Sequence, residues 1–295
     1  MTDVLRVVSL VLLGLVSSCD PSDQDQAHGH LYFAAGNYVG QFDLSDGSSL
    51  PAANLGDVTI DHLSNLPGGN LLLTLRVFTN GRETSRILRF NLRQGVSFAL
   101  FPGFMAEFLP GPKAVIYSDG SRLLATRREH SYHDESVIDN HGYNSKPTVV
   151  MLSESEILFD RVIDGDVVIH RYDANDDASQ ALQQLSGVCD LNGAVWIAAT
   201  DQLLCRKFGV APQDSSYHLV SLDGVVEATL PLPGDKILRA IAYLPDQRLV
   251  VLTERSDSWG GGQLRNAVWI YDMLTAESYV IARDQYLGTA VVYRP

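Results

Sequence analysis

The fold of this chain is most tightly restricted by a phrase that recurs along it: an apolar strand, a turn opening on proline or a polar residue, then a stronger apolar strand. His62-Leu-Ser-Asn-Leu-Pro-Gly-Gly-Asn-Leu-Leu-Leu-Thr74 is one copy. Ala240-Ile-Ala-Tyr-Leu-Pro-Asp-Gln-Arg-Leu-Val-Val-Leu-Thr253 and Val188-Cys-Asp-Leu-Asn-Gly-Ala-Val-Trp-Ile-Ala-Ala199 are two more. A third strand often follows and closes on Asp or Asn before a tight turn, as in Val39 to Asp43, Ile87 to Asn91, His218 to Asp223 and Val268 to Asp272. A fourth strand comes after that turn, at Val96 to Phe101, Val225 to Leu230 and Ser278 to Ile281. Short β-branched, aromatic and leucine runs between Gly, Pro, Asn and Asp signals mark an all-β chain. Only Asp177 to Leu185 reads as a short helix.

Four antiparallel strands repeating every 40 to 50 residues or so resemble the blades of a β-propeller. The ends of the chain fit a closed ring. Thr289-Ala-Val-Val-Tyr-Arg-Pro295 matches the first strand of a unit, and His30-Leu-Tyr-Phe-Ala-Ala35 matches a second. One blade would then take its innermost strand from the C-terminus and three from the N-terminus, which removes two exposed sheet edges. The stretch 103–185 admits two parses. Phe104 to Leu109 and Thr148 to Leu152 can be inner strands of two units, or one long unit can start at Ala114. The first gives six blades, which is favoured; five or seven are the alternatives, and an irregular β-sandwich is the competing architecture. Residues 30–295 are expected to form this single domain.

The N-terminus carries a different signal. Arg6 precedes an apolar stretch, Val7 to Val16, that is too short to span a bilayer and has the length of a signal-peptide core. Val16-Ser17-Ser18-Cys19 resembles the lipobox of bacterial lipoproteins. The resemblance implies removal of residues 1–18 and lipidation of Cys19, with a polar tether over 19–29. Several acyl chains on one cysteine would make the attachment durable. Asp20 resembles the enteric signal that retains a lipoprotein in the inner membrane, facing the periplasm; other lineages place such proteins in the outer membrane or at the cell surface.

The net charge is −13. Loss of residues 1–18 removes one acid, Asp3, and one base, Arg6, and leaves that balance unchanged. Nucleic acid, whose affinity rests on Lys and Arg against phosphates, is excluded as a partner. Attraction to anionic lipid is excluded too, so the lipid itself is the expected membrane contact. Besides Cys19 the chain has Cys189 and Cys205, which in an exported protein form either a disulfide or a pair of buried thiols.

In a propeller the loops joining strands two and three, and those joining successive blades, share one face. Turns at Pro67 to Gly69, Asn192-Gly193, Pro245 to Gln247, Arg93 to Gly95 and Asp223-Gly224 would trim the other face. Arg76 to Ser85, Thr200 to Ser216 and Glu254 to Asn266 read as long loops that elaborate the first. That face is the expected interaction surface, because scaffold loops carry most binding sites. Arg82 lies in one such loop. Trp259, Gly260 and Gly261 lie in another, where the indole is either a binding anchor or a lid over apolar surface.

The segment Arg127 to Lys146 gathers His130, His133, Asp134, Glu135, Asp139 and His141, in a chain with only eight histidines. These are side chains of the kind that bind zinc or another divalent metal, although the spacing matches no metal motif and a polar loop collects such residues without binding anything. His28 and His30 carry a weaker form of the same suggestion. No nucleophile elbow, phosphate loop or His-Glu-x-x-His is present, and no organic cofactor is expected. The innermost strands are mainly Leu, Ala, Val and Ile, with Asp61, His62 and Glu107 as exceptions. The leading expectation is a non-enzymatic, membrane-tethered module that binds an envelope protein or polymer. A metal-dependent hydrolase of the lactonase or esterase kind is one alternative. A sensory lipoprotein with a small ligand at the channel mouth is another.

Overall fold

A computed structural model describes residues 27–79, 82–126, 135–140, 147–207, 216–230, 238–244, 248–255, 266–285 and 290–294. The first strands in the chain are β1 (His30–Ala35), β2 (Tyr38–Asp43) and β3 (Ser49–Asn54). Blade 1 follows with β4 (Thr59–Leu66), β5 (Asn70–Thr79), β6 (Arg82–Asn91) and β7 (Val96–Pro102). Blade 2 has β8 (Phe104–Leu109), β9 (Ala114–Ser118), β10 (Arg122–Thr126) and β11 (Glu135–Asn140). Blade 3 has β12 (Val149–Met151), β13 (Glu156–Ile163), β14 (Asp166–Asp173) and β15 (Ala178–Ala181). Blade 4 has β16 (Asp190–Ile197), β17 (Gln202–Arg206), β18 (Tyr217–Ser221) and β19 (Val226–Thr229). Blade 5 has β20 (Leu238–Leu244), β21 (Leu249–Arg255), β22 (Asn266–Asp272) and β23 (Glu277–Gln285), and β24 (Ala290–Arg294) ends the chain.

Each group of four is one antiparallel sheet, and β24 pairs with β1 to give a sixth sheet in the order β24-β1-β2-β3. The closing register runs from His30 opposite Arg294 to Ala34 opposite Ala290. The fold is therefore a six-bladed β-propeller whose ring is fastened by the two ends of the chain. Ala114 opens a second strand, not a new unit, which rules out the five-blade parse and the sandwich.

The repeat works because both faces of every sheet are covered. Strand side chains alternate between faces, so Leu71, Leu73 and Leu75 pack toward the closing blade while Leu72 packs toward blade 2. Six apolar clusters fill the six seams between neighbouring blades. Central strands buried on both sides read as unbroken apolar runs, as in Leu249 to Leu252. Ala27, ahead of β1, is already buried in one seam, and Gly29 carbonyl accepts from Leu44 N–H at 3.0 Å, so the packed body reaches back before His30.

The turn after the third strand recurs with one chemistry. Oδ1 of Asp43, Asn91, Asp173 and Asp272 accepts from the backbone N–H two residues on, at 2.7 to 3.0 Å. In blade 4 the strand ends earlier, at Ser221.

Four expectations need correction. Asp177 to Leu185 is not helical: Ala178–Ala181 forms β15 against His170–Asp173, and hydrogen-bonded turns follow. This outer strand is exposed throughout and so lacks a period-two apolar signal. Asn192-Gly193 is not a hairpin turn but an irregularity inside β16, where the register shifts between Asp190 and Val195. The hairpin turn is at residues 198–201, so Thr200 to Ser216 is not one loop: β17 occupies Gln202–Arg206. Arg76 to Ser85 is not a loop either. It is a continuous ladder in which Arg76 faces Ser85 and Thr79 faces Arg82.

Candidate functional site

The first strand of each blade lines the central channel. At the end where those strands begin, the channel opens into a cavity of about 530 Å³. Blades 1 to 5 all contribute, through β4, β8, β12 with the two residues before it, β16 and β20. Leu, Val, Ala and Ile form part of the wall. The polar residues concentrate in two adjacent blades. Asp61 and His62 come from β4 and Glu107 from β8, and all three line the cavity.

These groups are organised by neighbours. His62 Nε2 donates to Glu107 Oε1 at 2.7 Å across the blade 1–blade 2 seam. Arg76, one strand back on β5, donates through Nη2 to Asp61 Oδ1 at 2.7 Å, and its Nε lies 3.7 Å from Glu83. The Asp61 carboxylate is thus matched by a guanidinium, whereas Glu107 is held by an imidazole. Beneath His62, its cross-strand partner Thr74 is only 1 % exposed yet lines the cavity, and its Oγ1 has no hydrogen-bond partner among the described residues. A buried hydroxyl without a partner is costly, by about 1–3 kcal/mol, so this is a group that a bound donor would satisfy. Trp196 and Tyr243 form the far wall, with Asn192, Thr148 and Met105 between.

The same end of the molecule carries the β5–β6 hairpin. The last pair of β4 with β5 is Thr59 and Arg76, and the last pair of β7 with β6 is Pro102 and Arg86. Val77, Phe78 and Thr79 continue opposite Thr84, Glu83 and Arg82 beyond both neighbours. Three further pairs extend the hairpin by about 10 Å past its own sheet. Phe78 on this extension is 66 % exposed. On the opposite face the turns after the third strands are short in blades 1, 3, 4, 5 and the closing blade.

Of the residues singled out in the sequence, Asp139 is placed in β11, where its Oδ1 accepts from Arg161 Nη1 at 2.9 Å. Its Oδ2 is buried and unpartnered, as is Nε2 of His170 nearby. Burial lowers the His170 pKa, the Asp139 charge raises it and Arg161 lowers it, with a net shift downward. His130, His133, Asp134 and His141 lie outside the described residues, as do Trp259, Gly260 and Gly261, and Cys19 and Asp20. β11, six residues and about 20 Å long, stands in the chain between Asp134 and His141. Among the described residues no three His, Cys, Asp or Glu side chains are grouped to hold a metal. Arg82 is in β6 near the hairpin tip. Cys189 and Cys205 are joined as a disulfide, with Cα atoms 5.6 Å apart, just before β16 and within the adjacent β17.

Sequence reasoning noticed Asp61, His62 and Glu107 as polar intrusions on apolar strands. It missed Thr74 and Arg76, whose roles depend on cross-strand register. It also missed the hairpin, although Asn80-Gly81 between Val77-Phe78 and the following strand is the dipeptide most typical of two-residue hairpins.

No family model and no curated protein matches the sequence. Solved structures do match in fold. A chain of a nidogen/laminin complex is similar with a TM-score of 0.63 at 12% identity, over 90% of this chain and 97% of that one. TolB from Acinetobacter baumannii gives 0.62 at 12% identity, over 90% of this chain and 65% of that one. A putative TolB from Agrobacterium tumefaciens gives 0.61 at 12% identity, over 91% of this chain and all of that one. At this level of identity the likeness concerns architecture, and the chain shares with these structures the β-propeller fold.

Proposed function

We propose that the protein is a lipid-anchored β-propeller of the bacterial envelope that binds another envelope protein, or a polymer, and is not itself an enzyme. Cys19 would carry the anchor and residues 20–26 would give it reach, with Asp20 favouring the periplasmic side of the inner membrane in a Gram-negative cell. The observation that carries the binding reading is the β5–β6 hairpin. It runs past both of its sheet neighbours, its backbone edges there take no ladder partner among the described residues, and Phe78 is held out in solvent. An exposed strand edge is a ready template for pairing with another chain, and an exposed aromatic supplies contact area at low entropic cost. The scaffold is compatible with such a use, since a chain of similar fold occurs in the nidogen/laminin complex.

The test is site-specific photocrosslinking in native membranes. A photoreactive residue replaces Phe78 in one variant and Leu274 in another; Leu274 is 65 % exposed on the opposite face. The reading expects one envelope component captured from position 78 and not from 274, and release of the Cys19→Ser protein from the membrane fraction. Equal capture from both positions, or none from either, overturns the binding face. Retention of Cys19→Ser in the membrane overturns the anchor.

A further inference from the structure

We infer that the cavity at the channel mouth is a binding site for an alkylammonium group, carried by a small amine or by a lysine side chain of a partner. Among its described lining residues are two carboxylates, Asp61 and Glu107, and no Lys or Arg. Arg76, behind the wall, offsets Asp61. Glu107 takes one hydrogen bond, from His62 to Oε1, and its Oε2 takes none from the described residues. The Glu107 carboxylate thus keeps an oxygen open to a donor at the mouth of the channel. A carboxylate in such a place favours a cation over any neutral or anionic occupant.

Three further features fit an ammonium on an alkyl stem. The orphan Oγ1 of Thr74 is an acceptor awaiting a donor at the cavity wall, and an ammonium brings three. Trp196 and Tyr243 line the same cavity, and aromatic rings attract cations. Met105, Val149 and Met151 line the same space and suit the methylenes of a stem. The net charge of −13 would draw a cation toward the protein as a whole. This site lies in the channel and stands whether or not the hairpin binds a partner or the lipid is attached.

The test is isothermal titration of the full-length protein in detergent with three probes at low salt: n-pentylamine, the peptide acetyl-Ala-Lys-Ala-amide, and the same peptide acetylated on the lysine Nζ. Saturable binding of pentylamine or of the free lysine peptide is expected, with the acetylated peptide silent. Tighter binding of the lysine peptide assigns the group to a protein partner, and tighter binding of pentylamine assigns it to a free amine. Glu107→Gln keeps an acceptor for His62 while removing the charge, and should weaken binding at least tenfold. Thr74→Val keeps the shape of the strand and should weaken it several-fold. Glu227→Gln, on the exposed outer strand β19, should change nothing. Unchanged melting curves for the first two variants show that the loss is local. No binding of either amine to the wild type, equal binding of the acetylated peptide, or full affinity in Glu107→Gln overturns the inference.

Discussion

Two glycines in equivalent turns separate the cost of backbone conformation from the cost of packing between blades. Gly95 and Gly224 both sit in the turn between the third and fourth strands of a blade, at φ +64° and +79°. A Cβ on Gly95 would meet nothing within 4 Å. A Cβ on Gly224 would lie 2.2 Å from the carbonyl oxygen of Gln184 and 2.7 Å from its carbon, on the segment that leads out of β15. Alanine at either position pays the left-handed penalty of about 1–2 kcal/mol. At Gly224 the contact must also open to at least 3.0 Å, and both partners are backbone. Moving the turn away strains the bond from Gln184 Nε2 to Leu222 carbonyl, 3.1 Å long, whose loss costs about 0.5–1.5 kcal/mol. Together these give about 1.5 kcal/mol for Gly95→Ala and about 2.5 kcal/mol for Gly224→Ala, with the enforced backbone displacement adding to the second. For a domain of this size that corresponds to roughly 3–6 °C and at least about 5–10 °C in melting temperature. Urea unfolding of the two variants beside wild type, with the disulfide intact, measures the difference through the midpoint at constant slope. Equal losses would refute the claim that the blade 4 turn is seated on its neighbour.

Deleting residues 290–295 removes the five register pairs that close the ring and the bond from Asn65 Nδ2 to Tyr293 carbonyl at 2.6 Å. At about 1 kcal/mol per hydrogen bond the loss is about 4 kcal/mol or more, and an unchanged circular dichroism melt would sink ring closure. The Cys189–Cys205 bond closes a loop of sequence separation 16, which corresponds to about 3 kcal/mol. The Cys189→Ala, Cys205→Ala double variant should lose that amount in urea, and a midpoint equal to wild type contradicts it. Asp119 gives a pH signature: burial opposes its ionisation, but hydrogen bonds from the Ser121 backbone, from the Arg122 side chain and backbone, and from the Ser121 side chain outweigh it and hold the pKa at about 2. A carboxyl depressed below its ordinary 3.8 stabilises the fold above that value and loses the contribution as pH falls through about 2. With the side chain 26 % exposed, screening leaves on the order of 1 kcal/mol. Asp119→Ala should therefore be destabilised at pH 6 and converge on wild type near pH 2, and a constant gap across that range is the contrary result.

The parts of the fold that could be read in advance are those where burial writes on the sequence. Leu71 to Leu75 and Leu249 to Leu252 are pressed between neighbouring blades, so both faces are apolar and the strand announces itself. Asp43, Asn91 and Asp272 announce their turns because the local backbone needs their carbonyl or carboxylate oxygens. Outer strands have no such pressure. Ala178–Ala181 touches one neighbour and solvent, and its polar composition fits a helix end as well as an edge. Asn192-Gly193 misleads for another reason: Gly193 takes φ +79°, as a turn glycine would, but uses it for an irregularity inside β16. The real turn at 198–201 has no glycine and places Asp201 at φ +53°, so nothing in its residues advertises it. The site divides in the same way. Asp61, His62 and Glu107 stand out against apolar strands, whereas Thr74 and Arg76 acquire meaning only once register sets Thr74 opposite His62 and Arg76 within reach of Asp61.

A repeat protein becomes specific where its repeat is broken, and here the breaks fall together. The inner strands of blades 3 and 5 offer Val149, Val150, Ala240 and Ile241 to the channel, residues that complete a wall and recognise little. Blades 1 and 2 replace the equivalent surface with Asp61, His62 and Glu107; His62 bonds Glu107 across the shared seam, and Asp61 is held by Arg76 within blade 1. Blade 1 also supplies Thr74 beneath that pair and the hairpin that rises from the same strands. Arg76 belongs to both features: it neutralises Asp61 at the channel and stands at the root of the hairpin, beside Glu83. A change in the hairpin that moved Arg76 would uncover the Asp61 charge to the cavity. The chemistry of this propeller therefore lies off its pseudo-sixfold axis, in the quadrant of blades 1 and 2. Arg76→Met is the substitution that tests the link, since it should tighten amine binding at the channel by removing the guanidinium charge beside Asp61. A loss of amine binding in Arg76→Met with an unchanged melt would instead make Arg76 a support for the site, and the two features would then be structurally joined but electrostatically independent.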